Sequence, residues 1–334
     1  MALPFSLLSR LTRSHHLPQR RDEKLITIVM PFLNEGEEPR KTIESIYRTT
    51  PSTLFKIIAI DDASDEPPKG FDDFDDVRYI RNERRIGSAG CRHLGAGLVE
   101  TPYLFIIDAH MRFKQDDWCL KLIDALEKEP QTAFCTTCLG LSEGRMNVCL
   151  PKGKYYGATL AIIDETATPD RPARNILEPK WAKKQKQTVY EIPCLLGANY
   201  AFSSDWFRTI RGVDGLQIWG TQEPFMSLKT WLAGGKCKII TDIEIGHKFR
   251  DHAPYRTPVY HLVYNKIFVC KTVLPDNLGE KLIDYLPKDG TFRRAMKEIE
   301  ENAAFIEEAR RYYRRLFNTS IYDYCRRFDI ALPS

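Results

Sequence analysis

The sequence predicts an α/β protein with a mostly parallel central sheet flanked by helices. Short apolar runs alternate with helical stretches over the first third of the chain, which is typical of strand–helix–strand units. Each run also ends in polar residues, and ligand sites of parallel sheets lie beyond the carboxyl ends of their strands. The chain of 334 residues is 43% hydrophobic, enough for one large domain or a domain with an appendage.

The individual elements follow from local pattern. Residues 26–32 form a nearly continuous apolar run, as expected of a strand buried on both faces. Pro39 then opens a predicted helix, because proline is favoured in the first turn. Further strands are predicted at 55–60, 77–80 and 103–107, and a helix is predicted at 87–99.

The second half of the chain is less regular. Residues 140–192 are rich in Lys, Pro and Gly, and we interpret them as an irregular insert. Residues 220–224 open a predicted helix, with Pro224 near its first position, and another apolar run lies at 237–240. From about residue 291 a helix with one apolar face is predicted. We expect this face to pack on the main domain; the alternative is that it forms the interface of a dimer. Its apolar residues are Phe292, Met296, Ile299, Ala303 and Ile306.

Composition narrows the class of protein. The net charge of +4 gives no global basic field for nucleic acid, although it allows a local basic patch. The 9 cysteines contain one close pair, Cys135 and Cys138, without the second pair that a zinc site needs, so free thiols in a reducing compartment are expected. No run reaches the roughly 20 apolar residues that span a bilayer. Residues 1–24 turn from apolar to basic, which predicts an N-terminal arm or, alternatively, weak contact with a membrane surface.

The strongest chemical signal is Asp108-Ala109-His110, directly after a predicted buried strand. Side chains two positions apart can point the same way and share one cation. His247 also follows an apolar run and can return to the same rim. A carboxylate with imidazoles suits Mn²⁺ better than Mg²⁺, which stays the alternative. Because imidazole ligands must be neutral, activity is expected to fall as pH drops through about 6.5.

Polar residues at the other strand ends are further candidates. Asp61 and Asp62 can accept hydrogen bonds from a base or ribose, or close an Asx turn, and one residue can serve each role. Arg84 and Arg85 are candidate phosphate ligands or solvated charges. Glu223 lies at a predicted helix start, as a cap or as a general base for an acceptor hydroxyl.

Several spaced motifs together resemble a known family. Residues 29–35 (Val-Met-Pro-Phe-Leu-Asn-Glu), 61–64 and 108–110 resemble the nucleotide-binding half of GT-A fold glycosyltransferases, including family-two glycosyltransferases. Residues 82–87 and 219–250 resemble, more closely, the catalytic domain of the polypeptide N-acetylgalactosaminyltransferases. The resemblance implies a GT-A (nucleotide-diphospho-sugar transferase) fold and a nucleotide-sugar donor, with UDP-sugar the expected one.

The resemblance also implies roles for individual residues. It implies Mn²⁺ ligands at Asp108, His110 and His247. It places uridine beside Pro31, Phe32 and Asp62, the phosphates beside Arg85, and the sugar beside Trp219, Gly197 and Ala198. Arg250 and Tyr255 would belong to a mobile loop that closes over the donor.

One segment departs from the resembled family. Those transferases have Gly-Gly-Glu-Asn where this chain has residues 220–223, Gly-Thr-Gln-Glu. Gln222 therefore stands at their glutamate, and Glu223 lies one position later. Inverting family-two enzymes keep an acid in this segment as the catalytic base, so Glu223 is the candidate here. Both a retaining and an inverting outcome remain open.

The sequence thus predicts a metal-dependent hexosyl- or N-acetylhexosaminyl-transferase with an unidentified acceptor: a protein hydroxyl, a glycan or a hydroxylated nucleic-acid base. A nucleotidyltransferase that makes nucleotide sugars and a non-catalytic sugar-binding module are the alternatives. Residues 34–38 (Asn-Glu-Gly-Glu-Glu) argue against the first, because their negative charge would repel a triphosphate, which needs a basic loop. The expected organisation is a basic arm at 1–24, a catalytic domain at 25–275 and a helical extension at 276–334. The catalytic domain divides into a nucleotide-binding half, 25–110, and a metal and acceptor half, 111–275. With neither a lectin domain nor a membrane anchor recognised, a cytoplasmic enzyme of microbial or viral type is expected.

Overall fold

The computed structural model describes residues 24–143, 149–164, 166–168, 175–250 and 255–333. A large mixed sheet forms their centre, and a separate antiparallel pair packs beside it. The strands of the large sheet are β1 (Ile26–Phe32), β2 (Phe55–Asp61), β3 (Val77–Arg81), β4 (Tyr103–Ile107), β5 (Met111–Phe113), β6 (Thr132–Glu143), β7 (Cys149–Tyr155), β10 (Val189–Glu191), β11 (Asn199–Ser203) and β12 (Lys236–Lys248). The separate pair is β8 (Ala158–Ile163) and β9 (Ile176–Trp181).

The sheet has the order β10-β12-β6-β11-β4-β1-β2-β3, with β5 paired to β12 and β7 paired to β6. Its first half is parallel, since β1 pairs in parallel with both β2 and β4, and β2 with β3. Strand β11 runs antiparallel between β4 and β6, and β12 pairs in parallel with β6. The predicted mostly parallel α/β sheet is confirmed, and β1 is buried along its whole length as its apolar sequence requires.

Helices cover the sheet and form the C-terminal part of the chain. They are α1 (Glu38–Thr49), α2 (Gly87–Gly97), α3 (Trp118–Lys128), α4 (Ser204–Thr209), α5 (Gln222–Leu232), α6 (Val259–Thr272), α7 (Asp276–Asp284), α8 (Gly290–Glu301), α9 (Ala303–Leu316) and α10 (Ile321–Arg327). One hydrophobic cluster continues from the sheet into these last helices, so the C-terminal helices share a core with the sheet.

The predicted apolar stripe near the C-terminus packs as expected, but it is not one helix face. Asn302 interrupts the helix, so the stripe divides between α8 and α9. Ile299 and Ile306 are buried, while Phe292 and Met296 pack against the same cluster from its edge. The two most buried members of the proposed dimer seam therefore already have partners within the chain.

The interpretation of residues 140–192 as irregular is wrong, because they contain β7, β8, β9 and β10. Their lysines and prolines obscured a real signal of period two: in β8, Ala158, Leu160 and Ile162 are buried while Thr159 is exposed. The predicted basic arm lies outside the described residues, apart from Lys24.

Two expectations from composition can be compared with the described residues. The cysteines at positions 91, 119, 135, 138, 194, 237, 270 and 325 are unpaired and buried, as expected for free thiols. Cys135 and Cys138 lie in β6, both fully buried. No helix in the described ranges combines the length and the apolar character that crossing a bilayer requires.

Candidate functional site

A cavity of about 310 Å³, open to solvent, lies beyond the carboxyl ends of β1, β2 and β4. This is where parallel sheets bind ligands, because successive strands present their last side chains at one edge. Most of the predicted site residues line it. They are Pro31, Phe32, Asp62, Arg85, Asp108, His110, Gly197, Ala198, Trp219, Glu223, His247 and Tyr255.

Three of these residues form a candidate metal centre. The ligand atoms of Asp108, His110 and His247 all lie within 4.8 Å of one another. Asp108 and His110 follow β4, and the antiparallel pairing of β5 with β12 places His247 opposite Met111, the residue after His110. His247 Nε2 is 3.0 Å from His110 Nε2 and 3.5 Å from Asp108 Oδ2. The predicted convergence of the three residues is confirmed.

The electrostatics of this centre fit a divalent cation. Burial lowers the pKa of both His110 and His247, so both rings are neutral near neutral pH, as metal binding requires. Burial alone would raise the pKa of Asp108, but its hydrogen bond with His247 and the charge of Arg92 outweigh burial and hold it well below the usual range. Two atoms bound to one ion at about 2.2 Å and near a right angle lie about 3.1 Å apart, close to the observed histidine pair.

A carboxylate stands behind the candidate metal ligands. Glu35 Oε2 is 3.2 Å from His110 Nδ1, a contact that fixes the orientation of the imidazole. Arg250 donates to both oxygens of Glu35, with Nη1 2.7 Å from Oε1. The side chain of Glu35 is only 6% exposed, so this arrangement is shielded from water. His247 Nδ1 is also buried and has no hydrogen-bond partner in the described part of the chain.

Asp61 and Asp62 divide the two roles considered for them. Asp61 is fully buried and does not line the cavity, because its carboxylate accepts hydrogen bonds from the Ser64 N–H at 2.8 Å and the Tyr79 hydroxyl at 2.9 Å. It therefore closes the turn after β2, and the predicted base or ribose contact is wrong for this residue. Asp62 lines the cavity and accepts from the backbone N–H groups of residues 86 and 87, both at 2.7 Å.

The residues predicted to contact the phosphates or to close over the donor also differ in whether they line the cavity. The guanidinium of Arg85 lies 4.8 Å from the centroid of the Tyr255 ring, and both side chains line the cavity. Arg250 does not line it, because its guanidinium is held by Glu35. Residues 251–254 of the predicted mobile loop lie outside the described residues.

Glu223 belongs to a buried hydrogen-bond network on the cavity wall. It accepts from the Tyr200 hydroxyl, and its Oε1 is 3.7 Å from Nη1 of Arg92. The same Arg92 donates to Gln222 Oε1 at 2.8 Å and to Asp108 Oδ1 at 3.1 Å. Arg92, only 4% exposed, thus links the candidate base to a candidate metal ligand. The pairing of β11 with β4 is what brings Tyr200 to this network.

A close backbone approach shapes the same wall. Gly87 has a φ of +78°, and a Cβ at this position would lie 2.2 Å from the Cα of Ile218. Only glycine allows this contact. The contact between Gly87 and Ile218 holds the start of α2 against the segment that carries Trp219. Trp219 is 50% exposed and lines the cavity.

An aromatic wall that the sequence did not predict completes the cavity. Trp181 at the end of β9 and Phe249 after β12 both line it. The Tyr155 ring lies between them, with centroid distances of 4.7 Å to Trp181 and 5.2 Å to Phe249. The Phe249 ring also packs edge-on against His247 at 4.5 Å. The wall therefore runs from the candidate metal centre to the solvent.

Comparison with known proteins identifies a matching family and several relatives of similar sequence. The sequence pattern of "Glycosyl transferase family 2" matches residues 27–210. Human polypeptide N-acetylgalactosaminyltransferase 10 is 27% identical over 241 residues, which are 70% of this chain and 39% of that protein. Human polypeptide N-acetylgalactosaminyltransferase 6 is 26% identical over 243 residues, which are 70% of this chain and 38% of that protein. The chain thus spans less than half the length of these curated relatives.

Solved structures share the fold. The structure of GalNAc-T7 with UDP, GalNAc and Mn²⁺ superimposes with a TM-score of 0.68 and 21% identity, over 91% of this chain and 57% of that one. Residues 1–349 of TarS from S. aureus, in complex with UDP-GlcNAc, superimpose with a TM-score of 0.54 and 8% identity, over 87% of this chain and 90% of that one. The predicted GT-A-like fold with C-terminal helices is confirmed.

Proposed function

This chain belongs to glycosyl transferase family 2, and from that membership we propose that it is a metal-dependent enzyme that transfers a hexosyl or N-acetylhexosaminyl group from a UDP-sugar to a hydroxyl acceptor. The observation that carries the proposal is the convergence of Asp108, His110 and His247 in the cavity that also contains Glu223. The similar structures of GalNAc-T7 with UDP, GalNAc and Mn²⁺ and of TarS with UDP-GlcNAc support a UDP-sugar and a divalent cation.

Asp108, His110 and His247 would hold the cation, with Mn²⁺ preferred and Mg²⁺ the alternative. A bound divalent ion neutralises charge on the donor diphosphate and so makes it a better leaving group. Arg92 keeps Asp108 ionised, and Glu35 orients His110, so that the ligand set is prepared before the cation arrives.

The rest of the cavity offers matching surfaces for the donor. Pro31 and Phe32 form an apolar wall at the end of β1 for the uracil ring, and Asp62 lies beside them to accept from the nucleoside. Arg85 is the cation available to the phosphates. The sugar would lie against Trp219 and the backbone of residues 197–198, where Gly197 has a φ of +112° and carries no side chain to obstruct a ligand.

In the transfer, the acceptor hydroxyl oxygen bonds to the anomeric carbon while the bond from that carbon to the diphosphate oxygen breaks, and UDP leaves with the bonding electrons. If configuration inverts, the hydroxyl proton passes to Glu223. If configuration is retained, no protein base is needed and the proton leaves with the diphosphate. Tyr200 and Arg92 hold the Glu223 carboxylate in place for either role.

The direct experiment is incubation of the protein with a panel of nucleotide sugars, with Mn²⁺ and with a chelator, followed by measurement of released UDP and free sugar. Even without an acceptor, slow hydrolysis of one UDP-sugar that depends on Mn²⁺ is expected. Release of pyrophosphate from a sugar phosphate and UTP would instead indicate the nucleotidyltransferase alternative. Tight UDP-sugar binding without turnover, with any acceptor, would indicate the binding-module alternative.

A further inference from the structure

The rim of the cavity carries an exposed aromatic residue within a lysine-rich segment. Residues 180–186 read Lys-Trp-Ala-Lys-Lys-Gln-Lys, and we call them the lysine–tryptophan segment. Trp181 lines the cavity and is 39% exposed, and the four lysines are exposed as well. No acidic residue occurs between Trp181 and Glu191.

The positive charge of this segment is not compensated locally. Within the described ranges, none of its four lysines forms a salt bridge, although Lys184 Nζ lies 5.5 Å from the centroid of the Tyr156 ring. The nearest acidic residues in sequence are occupied, since Glu178 pairs with Lys266, and Glu191 pairs with basic residues of β12 and α10. A rim with this charge attracts a polyanion.

The aromatic wall connects this rim to the candidate metal centre. Trp181 contacts Tyr155, Tyr155 contacts Phe249, and Phe249 contacts His247. A planar ring stacked on the exposed part of Trp181 would therefore enter the cavity beside the position proposed for the donor sugar. The two features together, a stacking surface and a row of cations, are the elements with which proteins bind single-stranded nucleic acids.

We propose that the lysine–tryptophan segment is the acceptor subsite and that the acceptor is an unpaired nucleic-acid strand that carries the accepting hydroxyl on a hydroxylated base, with a base stacked on Trp181 and phosphates on the lysines. The proposal rests on the proposed function, because it names the acceptor of that transfer. A neutral glycan would leave the four lysine charges without partners, and an acidic peptide would lack a regular series of planar rings. A duplex is disfavoured, since a paired base cannot enter a cavity.

The test is binding of a short single-stranded oligothymidylate, measured by fluorescence anisotropy, to the full chain and to variants. Lys183→Glu with Lys186→Glu should weaken binding about tenfold or more at moderate salt, and should flatten the dependence of log affinity on log salt. Lys128→Glu with Lys297→Glu is the matched control, because both lysines are exposed on helices, neither lines the cavity, and the change in net charge is the same. The control should bind as the unchanged protein does.

Stacking is tested separately from charge. Trp181→Leu should weaken binding about fivefold or more, while Trp181→Phe should restore part of the loss. An abasic strand of equal length and charge should bind the unchanged protein more weakly than oligothymidylate and should not respond to Trp181→Leu. Thermal unfolding of each variant checks that the fold is intact.

Equal binding of the abasic and the thymidine strands would overturn the proposal, as would stronger binding of a sulfated glycan or of a duplex. Unchanged binding of the strand after charge reversal at Lys183 and Lys186 would also overturn the proposal. Failure here is distinguishable from failure of the proposed function: a protein that hydrolyses a UDP-sugar with Mn²⁺ but does not bind the strand refutes only the acceptor assignment. A protein that binds the strand but neither binds nor hydrolyses any nucleotide sugar refutes the transferase.

Discussion

The Nε2 atoms of His110 and His247 lie 3.0 Å apart, although 137 positions separate the two residues in the chain. Because burial lowers the pKa of both, neither ring carries a charge near neutral pH that would drive the two apart. Two neutral imidazoles come together this closely when they share a proton or a cation. With Asp108 Oδ2 3.5 Å from His247 Nε2, the three side chains form a candidate ligand set for one shared cation.

Removal of one ligand should abolish the metal-dependent reaction. We expect His247→Ala to reduce Mn²⁺ affinity at least tenfold and to remove UDP-sugar hydrolysis at every Mn²⁺ concentration tested, since one imidazole ligand is lost. Mn²⁺ affinity is measured by electron paramagnetic resonance, which reports free ion independently of activity. His93→Ala is the control, because His93 is exposed on α2 and does not line the cavity. Unchanged Mn²⁺ binding in His247→Ala would refute the centre.

The pH dependence of Mn²⁺ binding follows from the lowered histidine pKa values. Both imidazoles must be neutral to bind, and burial moves their protonation to more acidic pH than the ordinary value of about 6.5. We therefore expect Mn²⁺ affinity to stay constant as pH falls through 6.5 and to decline only at lower pH, which shifts the sequence-based expectation in the acidic direction. A titration of Mn²⁺ affinity against pH checks this. A midpoint at or above 6.5 would contradict it.

Two glycines of α2 should respond oppositely to alanine. Gly87→Ala places a Cβ 2.2 Å from the Cα of Ile218 in a left-handed conformation, so we expect the free energy of unfolding to fall by about 2–4 kcal/mol. Gly97→Ala is the matched control, because it has no neighbour within 4 Å and no positive φ, and a gain of up to about 1 kcal/mol is expected. Urea unfolding measures both. Equal effects would show that the close approach to Ile218 is not rigid.

The parts of the fold that were predictable from sequence are those set by local burial. Strands β1 and β4 were predicted at their observed bounds, because a strand buried on both faces is apolar at almost every position. Strands β8 and β9 give a weaker signal, because β9 contains Pro179 and Lys180, and β8 alternates buried residues with more exposed ones such as Thr159. Trp181 was missed with them, since its role depends on where that hairpin lies.

The candidate site also combines residues that the local sequence predicts with residues whose role depends on the tertiary fold. Asp108 and His110 were predictable as residues that follow a buried strand. The neighbouring residues Asp61 and Asp62 were not separable, because the sequence does not show that the turn after β2 directs one carboxylate to Ser64 and the other towards the cavity. Tyr200 gave no local signal, because its contact with Glu223 depends on the antiparallel insertion of β11 beside β4.

The Tyr200 hydroxyl should matter for turnover rather than for donor binding. Tyr200→Phe removes the hydrogen bond to the Glu223 carboxylate, and a bond to a charged group contributes about 1.5–3 kcal/mol, so we expect kcat to fall about tenfold or more. The KM for the UDP-sugar should change little. Tyr324→Phe is the control, because this buried tyrosine donates to the Pro193 carbonyl at 3.1 Å and does not line the cavity. A rise in KM without a change in kcat would show that Tyr200 positions the donor instead.

The stereochemical course of the transfer tests whether Glu223 is the general base. A general base contributes typically about 10²–10⁴ in rate, and Glu223→Gln keeps the shape of the side chain while removing that base. We expect a loss of turnover in this range with donor affinity nearly intact, and inversion of the anomeric configuration in the product made by the unchanged enzyme. The matched variant is Gln222→Glu, which returns the carboxylate to the position of the resembled transferases and places a second negative charge beside Arg92. Product configuration by NMR is the deciding measurement, because a retained configuration would exclude Glu223 as the base and leave it to position the acceptor through Tyr200 and Arg92.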